Sequence, residues 1–63
     1  MPIIKVNMIE GRTDEQKEKL IKGIAEAVMD SLGAPEENVR VMIHEYEKRH
    51  FGIGTLPAQK AGR

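Results

Sequence analysis

The chain has 63 residues, enough for one domain, and a fold of this size buries only about 60% of the surface of its unfolded chain. Ten basic and ten acidic residues balance, so the sequence lacks the positive excess of a protein that binds nucleic acid or an anionic membrane surface. The absence of cysteine excludes disulfides and thiolate metal sites, and two histidines make a poor zinc site, so no metal is expected.

Domains this small usually depend on disulfides, a metal or partner subunits for stability. Since the first two are not expected, oligomerisation is the predicted support. No apolar run approaches the roughly 20 residues of a membrane span, and the N-terminus lacks the pattern of a signal peptide. We therefore expect a soluble cytoplasmic protein with neither nucleic acid nor membrane as a partner.

The first predicted element is a strand over residues 2–9, with the sequence PIIKVNMI. Isoleucine and valine dominate it, and Pro2 is tolerated because it occupies the first position of the strand. The tract EGR follows, and Gly11 within it predicts a turn.

A helix is predicted over residues 14–32. Thr13 and Gln16 have the spacing of a capping box, in which two side chains satisfy free backbone N–H groups at a helix start. Gly33 is a typical helix terminator. An apolar stripe recurs at helical spacing and comprises Leu20, Ile24, Ala27 and Val28, widened by Ile21, Ala25 and Leu32.

Alternating residues predict a second strand over 39–46, VRVMIHEY. The following tract contains Gly52 and Gly54 and is typical of a loop or short hairpin. Residues 57–63 are expected to form a mobile tail.

The order strand, helix, strand predicts an α+β fold in which two parallel strands are joined by a helical crossover. A parallel sheet normally has both faces covered, and one helix covers only one face. The sheet would also have two unprotected edges. A second copy of the chain would solve both problems, so we predict at least a dimer whose two-stranded sheets join into a four-stranded sheet.

Pro2 could have a chemical role as well as a structural one. Methionine before a small residue such as proline is the usual context for methionine removal, and loss of Met1 would turn the Pro2 amide into a secondary amine. An apolar pocket and nearby cations would favour the neutral amine, which could act as a general base or attack a carbonyl. Taken alone, Pro2 is better explained as an ordinary second residue, and the catalytic role depends on the other features described below.

Two arginines and a phenylalanine are further candidates. Arg12 follows the predicted turn, and Arg40 starts the second strand; their planar guanidinium groups could bind a carboxylate or stabilise an enolate. Phe51, the only phenylalanine, could wall an apolar pocket. Each also has a structural reading, as a solvated surface arginine or a core or interface aromatic. His44 and His50 are expected to be solvated.

Three stretches together resemble the short-chain 4-oxalocrotonate tautomerases. They are MPIIKVNMIEGRTDEQKEKLI, APEENVRVMIHE and HFGIG, and the resemblance runs from Met1 to about Thr55. It implies a single tautomerase domain over residues 1–63, a β-α-β unit with a short C-terminal hairpin, and a homohexamer built as three dimers. It also implies that no cofactor is needed.

The resemblance implies the following roles. Pro2, freed of Met1, would be the general base, and Arg12 would bind the distal carboxylate of the substrate. Arg40 would hold the 2-keto or 2-hydroxy group with its adjacent carboxylate, and Phe51 would line the pocket. The two arginines would come from neighbouring subunits. The reaction would move a proton in small 2-oxo acids or dicarboxylates, as from 2-hydroxymuconate to 2-oxo-3-hexenedioate in aromatic hydrocarbon catabolism.

Other functions compete with this reading. A non-catalytic oligomer could keep the same fold for assembly or partner binding. A hydrolytic dehalogenase would need a carboxylate to activate water, and the tract from Phe51 to Thr55 contains none. A decarboxylase is a further alternative. Glu45, Tyr46 and the segment from Thr55 to Pro57 depart from the expected pattern of the best-known members and could alter specificity.

Overall fold

The computed structural model describes residues 1–62. Strand β1 spans Ile3–Ile9, helix α1 spans Asp14–Leu32 and strand β2 spans Arg40–Tyr46. Two short strands, β3 at Gly52–Ile53 and β4 at Leu56–Pro57, follow. Single 3-10 turns at Glu36–Asn38 and Lys48–His50 precede β2 and β3. Among these residues, no helix is long and apolar enough to cross a membrane.

Strands β1 and β2 are parallel, as the sequence predicts. Their register runs from Ile3 opposite Arg40 to Ile9 opposite Tyr46. Each strand begins one residue later than expected. Pro2 has no N–H to give to a ladder, and the Val39 N–H is already donated to the Glu36 carbonyl at 3.1 Å in the 3-10 turn.

Helix α1 has the predicted bounds because both of its ends are capped. The Gln16 N–H donates to Thr13 Oγ1 at 3.1 Å, and the Thr13 N–H donates to Gln16 Oε1 at 3.0 Å, which completes the capping box. At the other end Gly33 adopts a left-handed conformation with φ 68° and donates its N–H to the Met29 carbonyl at 2.9 Å. A side chain would make this conformation costly.

The helix covers one face of the two-stranded sheet. Lys17 on α1 contacts Glu45 on β2 at 3.0 Å, so Glu45 and, by alternation, Ile43 and Val41 face the helix. On the opposite face Ile3 is 61% exposed and Met42 is 49% exposed.

The single chain has almost no core of its own. Ala58 is the only apolar residue of the described chain that is fully buried. The accessible surface is 4933 Å² for a mass of 7.1 kDa, against about 4,100 Å² expected for a folded monomer of that mass. The radius of gyration is 14.6 Å, against about 11 Å for a compact domain of this length. This chain is therefore a flat unit with unburied apolar surface.

The C-terminal hairpin is confirmed, with β3 and β4 antiparallel and Ile53 opposite Leu56. The segment after it, expected to be mobile over 57–63, is hydrogen-bonded as far as Ala61, whose N–H donates to the Pro57 carbonyl at 3.0 Å. Arg63 lies outside the described residues. Mobility of this tail stays a prediction, but residues 58–61 have defined partners.

Candidate active site

Pro2 lies at the end of the sheet where both strands begin. The Arg40 N–H donates to the Pro2 carbonyl at 3.0 Å, so the first ladder bond joins these two residues. Pro2 is half-buried, whereas Met1 is 74% exposed. With Met1 attached, the Pro2 nitrogen is an amide without basicity. Removal of this exposed methionine would leave a secondary amine beside Arg40.

The Arg40 side chain is held by the turn that precedes it. Its Nη1 donates to the Glu37 carbonyl at 2.6 Å and to the Val39 carbonyl at 3.2 Å. No carboxylate of residues 1–62 forms an ion pair with it. The guanidinium is therefore oriented by neutral acceptors, keeps its positive charge uncompensated and retains other N–H donors for a ligand.

Arg12 lies at the opposite end of the sheet, between β1 and the helix. Gly11 before it has φ 128°, a backbone conformation that side chains rarely adopt, and Thr13 after it is the helix cap. Arg12 lines a cleft of about 230 Å³ with Met8 and Leu20, among others. In the described part of the chain it has no ion-pair partner. The cleft thus combines a free cation with apolar walls.

Lys17 also lines this cleft and is already paired. Its Nζ lies 3.0 Å from Glu45 Oε1 and 3.4 Å from Asp14 Oδ1. The hydrogen bond to Glu45, with the charges of both carboxylates, raises the pKa of Lys17 above its ordinary value of 10.5. Lys17 is therefore a charged structural contact between helix and sheet, and Arg12 is the cation left for a ligand.

Phe51 directly follows the second 3-10 turn, at the same end of the sheet as Arg12. Its carbonyl accepts a hydrogen bond from the Ala58 N–H at 2.7 Å. Its ring meets the Tyr46 ring edge to face, with centroids 5.8 Å apart and an angle of 61° between planes. Both the backbone and the ring of Phe51 are thus held by other parts of the chain.

One chain does not bring the four predicted site residues together. Pro2 and Arg40 lie at the start of the parallel strands, whereas Arg12 and Phe51 lie beyond their ends. At about 3.3 Å per residue, roughly 23 Å of strand separates Pro2 from Ile9. This distance is far more than an arginine side chain can span, so a site that uses all four residues has to include more than one chain.

Sequence reasoning missed the contacts of Tyr46. Its hydroxyl donates to Asn7 Oδ1 at 3.0 Å, and the His44 ring lies 4.5 Å from its ring. No short-range sequence pattern predicts a hydrogen bond between residues 39 positions apart. The departure of Tyr46 from the expected family pattern was the one available signal. His44 and His50 are both exposed, as expected.

Comparison with known proteins agrees with this architecture. A model of the tautomerase enzyme family matches residues 2–60. A 2-hydroxymuconate tautomerase of Pseudomonas sp. (strain CF600) is 59% identical over the full length of both chains. A 4-oxalocrotonate tautomerase isozyme from Methylibium petroleiphilum has a TM-score of 0.92 and 47% identity, covering 98% of this chain and 100% of the other.

A more distant solved structure is informative about assembly. It is a heterohexamer 4-oxalocrotonate tautomerase from Chloroflexus aurantiacus, with a TM-score of 0.89 and 28% identity, covering 95% of this chain and 97% of the other.

The β-α-β unit, the terminal hairpin and these matches place the chain in the tautomerase family. It is an isomerase, and the non-catalytic alternative is not favoured.

Proposed function

We propose that the chain, once Met1 is removed, uses the Pro2 amine as the general base of a cofactor-independent tautomerase. The 3.0 Å hydrogen bond from the Arg40 N–H to the Pro2 carbonyl carries this proposal, because it joins the residue that would become the amine to the backbone of an arginine that has no ion-pair partner among residues 1–62. Positive charge nearby disfavours a protonated amine. A neutral amine near pH 7 is then available to accept a proton.

The substrate we propose is a small 2-oxo dicarboxylate in its enol form, 2-hydroxymuconate. The names of the full-length relatives support this choice. Pro2 takes the proton of the 2-hydroxyl group, electrons shift along the conjugated chain, and the protonated amine returns a proton to C5. The product is 2-oxo-3-hexenedioate, with one carbon–carbon double bond between C3 and C4. Atoms and charge balance without an oxidant or a further reactant.

The arginines and Phe51 supply the rest of the site. Arg40 binds the 2-oxygen and the adjacent carboxylate, where negative charge develops as the proton leaves. Arg12 binds the distal carboxylate through its charge-assisted hydrogen bonds. The Phe51 ring walls the apolar middle of the substrate and keeps water from the amine.

The site forms between subunits. A two-fold axis that reverses strand direction places the start of one sheet beside the end of its partner, which brings Pro2 within reach of another chain's Arg12. Joining sheets in this way gives four strands and covers exposed Ile3 and Met42 as the dimers assemble. We propose a homohexamer, as three dimers; the hexameric relative supports that number.

We also assign the enzyme to the cytoplasm and to the breakdown of aromatic compounds. The name of the full-length pseudomonad relatives, 2-hydroxymuconate tautomerase, supports the second assignment through its substrate.

The test compares Met-free protein with its Pro2→Ala variant. Mass measurement first establishes that Met1 is absent from both, and tautomerisation of 2-hydroxymuconate is then followed beside that of phenylenolpyruvate. We expect Pro2→Ala to lower kcat/KM by about a hundredfold or more, the usual contribution of a positioned general base. Pro35→Ala, at an exposed proline before the first 3-10 turn, is the matched control and should leave the rate unchanged. Full activity of Pro2→Ala would refute the proline-base mechanism.

A further inference from the structure

Tyr46 is the point where three parts of the chain meet. It ends β2, its hydroxyl donates to Asn7 Oδ1 on β1 at 3.0 Å, and its ring contacts Phe51 beyond the second 3-10 turn. We infer that Tyr46 is a positioning residue that sets the orientation of the Phe51 ring in the catalytic pocket. This inference rests on the proposed role of Phe51 as a wall of that pocket.

The contact geometry favours such a role. An angle of 61° and a centroid separation of 5.8 Å describe an edge-to-face pair, in which the positive edge of one ring meets the negative face of the other. Such a pair favours particular relative orientations, whereas an aliphatic contact is indifferent to rotation of the ring. Tyr46 therefore restricts the orientation of Phe51 as well as its position.

Asn7 fixes the Tyr46 ring in turn. The tyrosine hydroxyl lies at the far end of the ring from the backbone, so a hydrogen bond there holds the ring at both ends. Asn7 belongs to the other strand of the sheet, opposite His44 in the register. Through Tyr46, the orientation of the Phe51 ring therefore depends on both strands of the sheet.

The backbone of Phe51 is held by a separate contact. The Ala58 N–H donates to its carbonyl at 2.7 Å, and Ala58 itself is fully buried. Removing the Tyr46 ring leaves this bond in place. We therefore expect changes at Tyr46 to disturb the Phe51 side chain while the turn and the hairpin keep their fold.

A double-mutant cycle tests the inference on the Met-free oligomer with 2-hydroxymuconate. Tyr46→Leu should lower kcat/KM by roughly threefold to tenfold, the range that an aromatic pair of this geometry supports. It should change kcat and KM in the same directions as Phe51→Leu does. In the Phe51→Leu background, Tyr46→Leu should have no further effect on kcat/KM, because its partner is already gone. Two effects that simply multiply would show that Tyr46 acts independently of Phe51 and would overturn the inference.

Conservative variants separate positioning from general stability. Tyr46→Phe and Asn7→Ala remove the same exposed hydrogen bond and leave the aromatic ring in place, so each should lower kcat/KM by about twofold, less than Tyr46→Leu does. The double variant Tyr46→Phe/Asn7→Ala should have the same kcat/KM as either single variant, because both substitutions remove the same hydrogen bond. His44→Ala is the matched control on the same strand, because it removes a ring that touches Tyr46 but not Phe51.

The outcomes distinguish the two proposals. If Tyr46→Leu does not fold, as thermal unfolding and size measurements would reveal, Tyr46→Met replaces it in the cycle with Phe51→Leu, and losses that multiply would overturn the inference. A loss in His44→Ala equal to that in Tyr46→Leu would also overturn it. An impaired Phe51→Leu beside an intact Tyr46→Leu refutes the positioning role alone. A fully active Phe51→Leu refutes the role of Phe51 in the proposed site.

Discussion

Mixed oligomers of two inactive variants test whether one active site draws on more than one chain. The variants are Pro2→Ala and Arg12→Ala. Since roughly 23 Å of strand lies between Pro2 and Ile9, with Arg12 still further on, no single chain places these two side chains in one pocket. The chains are unfolded together in equal amounts, refolded and assayed for tautomerisation of 2-hydroxymuconate.

Random assembly of the two variants determines the fraction of active sites that should be recovered. If Pro2 comes from one chain and Arg12 from another, each is intact with a probability of one half, so about a quarter of the sites are wild type in a symmetric oligomer. The parent variants should each lie well below this level. Pro2→Ala loses about a hundredfold, and Arg12→Ala loses a charge-assisted hydrogen bond that contributes about 1.5–3 kcal/mol, or roughly tenfold to 150-fold.

A control with both substitutions in one chain completes the design. This double variant, refolded with an equal amount of wild-type chain, should again give about a quarter of the wild-type sites if the two residues come from different chains, and about a half if they come from the same chain. No recovery in the first mixture, together with about half activity in the control, would refute a shared site and with it the proposed assembly.

Two further predictions concern groups around the Arg12 cleft. Gly11→Ala forces a side chain into a backbone conformation with φ 128°, which costs about 1–3 kcal/mol. We therefore expect a lower melting temperature, and a reduced kcat/KM because Arg12 shifts. Unchanged kinetics would show that this turn does not position Arg12. Lys17 has a raised pKa through Glu45, so the stabilisation from its charge is present below pH 10.5 and is lost as the pH rises through the folded-state value. Lys17→Met should therefore melt earlier than wild type at pH 8, with a gap that narrows above pH 10.5, and a gap independent of pH would assign the effect to packing.

The predicted helix agrees with the structure at both ends because its signals are local. Thr13 and Gln16 are three residues apart, and Gly33 needs no distant partner to adopt a left-handed conformation. The strand starts were each wrong by one residue for equally local reasons: Pro2 has no N–H to donate at the start of β1, and the first 3-10 turn, which the sequence did not predict, takes the Val39 N–H at the start of β2. The parallel pairing was predictable because a helix long enough for a crossover separates two strands.

The candidate site was predictable only as a set of residues. Pro2, Arg12, Arg40 and Phe51 were identified by their chemistry and their spacing in the family. The predicted strands already separated Pro2 from Arg12, but the contacts that orient each side chain were not predictable. Ala58 was assigned to a mobile tail from the sequence. Its burial depends on the tail folding back toward Phe51, and amino-acid composition gives no sign of such a contact.

The sequence by itself therefore determined the helix, the strands and their parallel order, since these follow from periodicity, capping and chain connectivity over short distances. Tertiary structure decided which side chains meet. The hydrogen bond from Tyr46 to Asn7 joins residues 39 positions apart, and the Ala58 N–H reaches back to Phe51. Such contacts depend on the register of the strands and the path of the turns. The same geometry separates Pro2 from Arg12, and this separation is why the chain needs copies of itself to form the proposed site.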